Sequence, residues 1–152
     1  MGVDQVRVRK ARVEDLDAVK ALADANKSSL GFVLRPALAA GIQGDWLLVA
    51  ERAGQVIGFV HYRHRQDSQT TLYEICVDEA SRRSGVGRSL VQALTIESQA
   101  LGKACIRLKA PTSLPANDFY RCLGFVLTDV QQGRRRQLNV WTTWLNGREG
   151  KS

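Results

Sequence analysis

Residues 75–90 of the chain read ICVDEASRRSGVGRSL, and this stretch decides the fold class. It opens with the apolar end of a strand, continues through a loop with two adjacent arginines, and enters a helix at two glycines. A loop of this kind turns consecutive backbone N–H groups toward one point, where the positive end of the helix dipole also lies. The stretch therefore predicts a binding site for a phosphate or pyrophosphate between a strand and a helix.

The two glycines, Gly85 and Gly87, suit an anion site because a side chain there would block the close approach of the ligand. A P-loop is excluded, since four residues separate its two glycines and the second is followed by Lys-Ser/Thr. A dinucleotide fingerprint is excluded as well, because Leu90 stands where a third small residue is required. The remaining pattern is Arg/Gln-x-x-Gly-x-Gly/Ala, which Arg82 and the two glycines fulfil.

A second motif follows downstream, where residues 116–125 read ANDFYRCLGF. In these two motifs the chain resembles the GNAT N-acetyltransferase superfamily. The first is similar to the acetyl-CoA motif of that family, and the second to its helix-to-strand signature Ala-x-x-Phe-Tyr-x-x-x-Gly-Phe. The order of the predicted helices and strands also agrees with the family over about residues 3–144.

The resemblance implies a fold, a co-substrate and a reaction. Acetyl-CoA would bind where two parallel strands splay apart, and an acceptor amine would attack the thioester directly in a ternary complex, with no metal. The acetyl carbonyl and pantetheine would be held by the backbone of Ile75, Cys76 and Val77. The pyrophosphate would be held by Arg82, Arg83, Ser84, Gly85, Val86, Gly87, Arg88 and Ser89.

Two residues are the candidates for catalysis. Tyr120 lies in the Phe-Tyr signature, which implies a general acid that protonates the departing CoA thiolate. Glu74 lies in the middle of a predicted strand, an unusual place for an acid, and is either a surface residue or the base that deprotonates the acceptor ammonium. His61, His64 and water are alternative bases.

One position departs from the family pattern. The family often has Asn seven positions before the signature tyrosine, where it contacts the CoA arm, and Ser113 stands there in this chain. That contact is therefore weaker here or is made by Asn117 instead.

Apolar periodicity predicts seven strands and four helices. The strands cover residues 5–9, 46–51, 56–62, 70–77, 105–109, 125–130 and 137–143. The helices cover a stretch after residue 14, residues 34–42, residues 85–101 with Leu90, Leu94 and Leu101 on one face, and residues 115–123 with Ser113 as N-cap. This order predicts an α/β (α+β) fold with a mostly antiparallel sheet and one parallel pair joined by a right-handed crossover.

Composition bounds the class of protein. The chain has 152 residues, 44% of them apolar and 24% charged, which indicates one globular domain over residues 1–152. We expect a core at about residues 3–144 and a flexible tail at 146–152. The net charge of +7 favours anionic partners.

The same composition suggests where the protein works. Three cysteines with no paired spacing favour a reducing compartment. No signal peptide and no apolar run long enough for a membrane span is visible, so the sequence predicts a cytoplasmic protein without membrane partners. The two histidines lack the neighbours of a metal site.

Two rival functions remain beside an N-acetyltransferase. One is a non-catalytic module that binds acyl-CoA. The other is a nucleic-acid-binding domain, which is disfavoured because the basic residues are scattered and one cluster is explained by a pyrophosphate. The acceptor, a small-molecule or peptide amine, stays open, and so does a homodimer.

Overall fold

Apolar runs form the seven strands of one sheet in the computed structural model, which describes residues 5–145. The strands are β1 (Arg7–Lys10), β2 (Leu47–Arg52), β3 (Gln55–His64), β4 (Gln69–Val77), β5 (Cys105–Pro111), β6 (Val126–Gln132) and β7 (Gln137–Trp144). Their order in the sheet is β1-β2-β3-β4-β5-β7-β6. Each predicted strand agrees with an observed one to within two residues at both ends.

Pairing in the sheet is mostly antiparallel, as predicted. The pairs β1–β2, β2–β3, β5–β7 and β6–β7 are antiparallel, whereas β4 and β5 run parallel. The parallel ladder is short and joins Gln69–Thr71 with Cys105, Ile106 and Arg107. Both strands continue beyond these paired residues.

Five α-helices connect the strands, one more than the sequence predicts. They are α1 (Leu16–Ala25), α2 (Lys27–Leu30), α3 (Arg35–Gln43), α4 (Val86–Ala100) and α5 (Ala116–Cys122). Short 3₁₀ helices cover Val13–Asp15 and Glu79–Ser81. Helix α2 was not predicted because its four residues make barely one turn, which is too short to show the apolar periodicity of a helix.

Two predicted details at helix ends are wrong. Leu101 does not lie on the buried face of α4 but is 57% exposed, because the chain leaves the helix there toward the left-handed Gly102. Ser113 does not cap α5, since Pro115 occupies the N-cap position. Proline serves there because it has no N–H that would need a partner.

The described residues fall into two compact units. One comprises residues 5–62 and 74–94, and the other comprises 63–73 and 95–145. In the first, the apolar faces of α1 and α3 pack with β2 and β3 around the fully buried Val19, Leu38, Leu47, Val49 and Phe59. In the second, the buried residues include Ile106, Leu108, Tyr120, Phe125 and Trp141.

A single domain over residues 1–152 stays a prediction, and the predicted tail at 146–152 lies outside the described residues. No helix in the part of the chain that the structure describes combines the length and apolar character needed to cross a bilayer.

A partly buried ion cluster connects the start of α1 to the sheet edge. Both carboxylate oxygens of Asp15 accept hydrogen bonds from the Arg9 guanidinium, at 2.8 and 3.1 Å, and Arg9 also pairs with Glu51. The N–H of Arg12 donates to Asp15 at 2.7 Å. The hydrogen bond from Arg9 holds the pKa of Asp15 below its usual value, against an opposing effect of burial.

We expect Asp15→Asn to lower the free energy of unfolding by about 1–3 kcal/mol at pH 7. The folded pKa of Asp15 lies below its unfolded value of about 3.9, so the carboxylate stabilises the fold above that value, and this contribution is lost as pH falls through the folded pKa. Urea unfolding at pH 7 and pH 3 measures the effect. The gap between wild type and variant should narrow at pH 3, and a constant gap would contradict the assigned direction. Asp17→Asn, at a side chain 86% exposed, is the control.

Candidate active site

The loop before α4 has the backbone conformation of an anion-binding loop. After β4 ends at Val77, the 3₁₀ turn leads into two left-handed residues, Arg83 with φ 66° and Gly85 with φ 87°. Left-handed residues in a tight loop turn neighbouring N–H groups toward one side. Arg83 is notable because residues other than glycine rarely adopt this backbone conformation.

The first turn of α4 adds N–H groups to the same place. The backbone N–H of Ser89 donates to the carbonyl of Gly85 at 3.0 Å, as the first hydrogen bond of the helix. Val86, Gly87 and Arg88 come before Ser89 in the chain, so their N–H groups have no acceptor within the helix. A Cβ built on Gly85 would meet no atom within 4 Å, so there is open space beside the loop. Loop and helix start together fit a pyrophosphate.

Gly58 in β3 allows α4 to lie close to the strands, and sequence reasoning missed it. A Cβ there would stand 3.0 Å from the carbonyl oxygen of Cys76 and 3.2 Å from Cγ1 of Val86. Val86 and Leu90 are buried at this contact. The available signal was a glycine inside an apolar strand run, which often marks such a close approach.

The Arg82 side chain is engaged within the protein. Its guanidinium donates to the carbonyl of Val77 at 3.4 Å and to Oδ1 of Asn26. Ser84 makes a similar internal contact, since its hydroxyl donates to the carbonyl of Ser81. Arg82, Arg83 and Arg88 are all exposed residues. The positive charges predicted for the loop are therefore present, but that of Arg82 is directed toward α1.

The end of β4 is buried on both faces, at Ile75, Cys76 and Val77. Burial raises the pKa of the Cys76 thiol to about 12, so this cysteine stays protonated at neutral pH. A protonated thiol is a poor nucleophile, so Cys76 serves here as a small buried residue. The ladder between β4 and β5 covers only Gln69–Thr71, so Ile75, Cys76 and Val77 take no part in it.

Two of the candidate bases are hydrogen-bonded to each other. Nδ1 of His61 lies 2.8 Å from Oε1 of Glu74, and their side chains are 11% and 21% exposed. The other ring nitrogen faces α3, where a Cβ on Gly41 would lie 2.7 Å from Nε2. The sequence proposed these residues as alternatives, and the structure joins them in one pair.

The third candidate base, His64, belongs to a different cluster. Its Nδ1 lies 2.8 Å from the hydroxyl of Thr70, and its Nε2 lies 2.7 Å from Oε2 of Glu97. Thr70 is fully buried and also bonds the hydroxyl of Ser98 at 2.9 Å. Both ring nitrogens thus have partners inside the second unit, which favours a role in holding α4 to the strands.

Tyr120 lies in α5 and is 4% exposed. Its ring packs against those of Phe119 and Trp141, with centroids 6.3 and 6.4 Å away. The carbonyl of Tyr120 accepts from the N–H of Phe125 at 3.1 Å, across the left-handed Gly124 that ends the helix. Helix α5 and the following turn therefore hold this side chain in place.

Asn117, the predicted substitute for the family asparagine, is occupied by internal hydrogen bonds. Its Nδ2 donates to carbonyls of the turn between β5 and α5, and its Oδ1 accepts from two β7 side chains. These partners are Pro111, Thr112 and Leu114 on one side, and Asn139 and Trp141 on the other. Both donors and both lone pairs of the amide are used. Its contact with CoA stays a prediction, one that these bonds do not favour.

A comparison with known protein families identifies the family of this chain. Residues 43–127, more than half of the 152 in the chain, match the family described as acetyltransferase (GNAT) domain. The chain belongs to the GNAT acetyltransferase family. This membership supports an acyltransferase that uses acetyl-CoA. No curated protein sequence matches the chain at a significant level.

Solved GNAT structures share the whole fold. Ard1 from Thermoplasma volcanium aligns with a TM-score of 0.77 at 21% identity, over 92% of this chain and 97% of its own. The ribosomal-protein-S18-alanine N-acetyltransferase from Escherichia coli gives 0.75 at 20% identity, over 97% and 99%. YncA, a putative acetyltransferase from Salmonella typhimurium solved with its cofactor acetyl-CoA, gives 0.70 at 19% identity, over 97% and 98%. At these identities the likeness establishes the fold alone.

The described residues contain no group of three or more His, Cys, Asp or Glu side chains arranged to hold a metal ion.

Proposed function

We propose that this GNAT protein is an N-acetyltransferase that moves an acetyl group from acetyl-CoA to a primary amine by direct attack in a ternary complex. The observation that carries the proposal is the loop before α4. There, Arg83 and Gly85 are left-handed, and open space lies beside Gly85. Backbone N–H groups arranged in this way suit a pyrophosphate, which is the anionic centre of CoA.

The proposed CoA site uses backbone more than side chains. The N–H groups of the loop and of the first turn of α4, residues 82–89, would hold the pyrophosphate. The backbone of Ile75, Cys76 and Val77 would hold the pantetheine and the acetyl carbonyl. Support comes from the short β4–β5 ladder, in which these three residues take no part. Asn117 is left out of this site because its amide is occupied.

Acetyl-CoA supplies an acyl group that is activated as a thioester, and the chain supplies proton transfer. We propose that Glu74 accepts the proton of the acceptor ammonium, with His61 hydrogen-bonded to it at 2.8 Å. Backbone N–H donors would stabilise the negative charge that develops on the carbonyl oxygen. Tyr120 would give its proton to the sulfur as the carbon–sulfur bond breaks. His61 itself and water are the competing bases.

We expect Glu74→Gln to slow turnover about tenfold or more at pH 7, because the amide keeps the shape of the side chain and removes the proton acceptor. The rate should recover at higher pH, where the free amine becomes abundant, above about pH 8 for an α-amine or pH 10 for an alkylamine. A pH–rate profile with saturating acetyl-CoA measures this. If the variant keeps the wild-type profile, the base is His61 or water, and His61→Gln then distinguishes these two.

The proposed function is tested by release of free thiol from acetyl-CoA in the presence of a panel of amines. The panel should contain small-molecule amines and peptides, including one with an N-terminal alanine, the residue in the name of the Escherichia coli neighbour. Acetylated product that forms in step with thiol supports the transferase. Tight CoA binding without turnover on any amine would favour the non-catalytic module.

We also propose a cytoplasmic location. Cys76, Cys105 and Cys122 are free thiols, as is usual in reducing compartments. A homodimer stays open, and nucleic-acid binding remains a disfavoured prediction.

A further inference from the structure

A hydrogen bond ties the proposed CoA loop to the end of the first helix. The Arg82 guanidinium donates to Oδ1 of Asn26, although 56 positions separate the two residues. It also donates to the carbonyl of Val77, the last residue of β4. Arg82 thus connects the strand, the loop that follows it and α1, all within the first compact unit.

Asn26 is built into the protein in a way that fixes this bond. It lies between α1 and α2 and is only 7% exposed. Its Nδ2 donates to the carbonyl of Leu22 at 2.8 Å, and its backbone carbonyl accepts from the N–H groups of Ser29 and Leu30. The amide orientation is therefore set by the helix, which leaves Oδ1 to receive the guanidinium. The negative end of the α1 dipole favours a cation at the same place.

We infer that Asn26 is a positioning residue for acetyl-CoA. It engages the side chain of Arg82 and thereby holds the N–H groups of the following loop, with its left-handed Arg83 and Gly85, in the orientation that receives the pyrophosphate. The guanidinium of Arg82 binds other groups of the protein, and Arg82 contributes only its backbone N–H to the binding of the anion. This inference rests on the proposed CoA site, but it concerns a residue outside both motifs.

The alternative is that Arg82 contacts the pyrophosphate directly. A guanidinium that turned to the ligand would leave the buried Oδ1 of Asn26 without its charged donor, which is unfavourable. The two arrangements predict different effects on CoA affinity when residues 26 and 82 are substituted singly and together. If Arg82 acts through Asn26, removing both side chains weakens binding no more than removing Arg82 alone. If it acts on the anion, Asn26→Ala has little effect.

The test measures CoA affinity by calorimetry for wild type, Asn26→Ala, Arg82→Ala and the double variant, each checked for folding by thermal melting. We expect Asn26→Ala to weaken CoA binding about five- to fiftyfold, and the double variant to match Arg82→Ala. Arg134→Ala, in the hairpin between β6 and β7, is the control for loss of one positive charge. Wild-type protein that fails to bind CoA would refute the proposed function. Wild-type affinity in a folded Asn26→Ala variant would refute only the present inference.

A second measurement separates positioning from general stability. S-acetylpantetheine lacks the pyrophosphate, so Asn26→Ala should raise the KM for acetyl-CoA while that for S-acetylpantetheine stays the same. An equal rise in both would mean general destabilisation and overturn the inference. Asn26→Asp loses the donor to Leu22 but keeps the acceptor for Arg82 in either orientation, because both carboxylate oxygens accept, and it should bind CoA within about threefold of wild type. A loss as large as that of Asn26→Ala would assign the effect to the Leu22 bond and contradict the inference.

Discussion

Gly85→Asp is expected to abolish measurable CoA binding while the fold survives. The open space beside Gly85 is where the pyrophosphate would lie, and a carboxylate would enter it. At about 5 Å and an effective dielectric constant of about 20, two like charges repel by about 3 kcal/mol. One such contact weakens binding by more than about 100-fold, and a pyrophosphate carries more than one charge. Calorimetry with CoA measures the loss, and thermal melting confirms the fold.

Gly85→Asn is the matched control for this variant. Asparagine has the shape of aspartate without its charge, and both must adopt the φ of 87° found at this position. Asn and Asp are the side chains that enter the left-handed region most readily. We expect Asn to weaken binding by no more than about tenfold. Equal losses in the two variants would assign the effect to loop shape, and unchanged affinity in a folded aspartate variant would remove this loop from the CoA site.

The tight loop before α4, for which we propose anion binding, was predictable from sequence because its conformation depends on the backbone. Glycine spacing records where a chain must become left-handed or admit a close approach, and such requirements are local. The strands and the parallel pair were predictable for a related reason, since apolar runs and turn residues report burial over short segments. Helix α2 and the cap at Pro115 were not, because a single turn carries too little pattern.

Side-chain pairs that depend on how distant segments align with each other could not be predicted from the sequence. Glu74 and His61 were each singled out as a base, but their bond joins residues on separate strands, β3 and β4. The bond between Asn26 and Arg82 is harder still to foresee, since it joins a helix end to a loop. For the same reason the sequence assigned Arg82 to the ligand, whereas its guanidinium contacts the protein. Periodicity indicates which face a residue lies on, but not which distant residue it meets.

Tyr120→Phe is expected to lower kcat roughly tenfold to a few hundredfold, with CoA affinity close to wild type. A positioned general acid contributes about 10²–10⁴-fold, and the low end applies because a thiolate is already a fair leaving group. The substitution removes one hydroxyl and keeps the ring that packs against Phe119 and Trp141. Single-turnover kinetics, with chemistry shown to limit the rate, measure the loss.

The loss should appear in kcat and not in the KM for acetyl-CoA, because the proton moves only as the carbon–sulfur bond breaks. Tyr73→Phe removes the same hydroxyl from a side chain that is 42% exposed, and should leave kcat unchanged. A wild-type kcat in the Tyr120 variant would eliminate the phenol as the acid. Since Tyr120 is buried against Trp141, a structural role would instead lower the melting temperature and the CoA affinity together. The split between kcat and binding therefore distinguishes proton donation from packing.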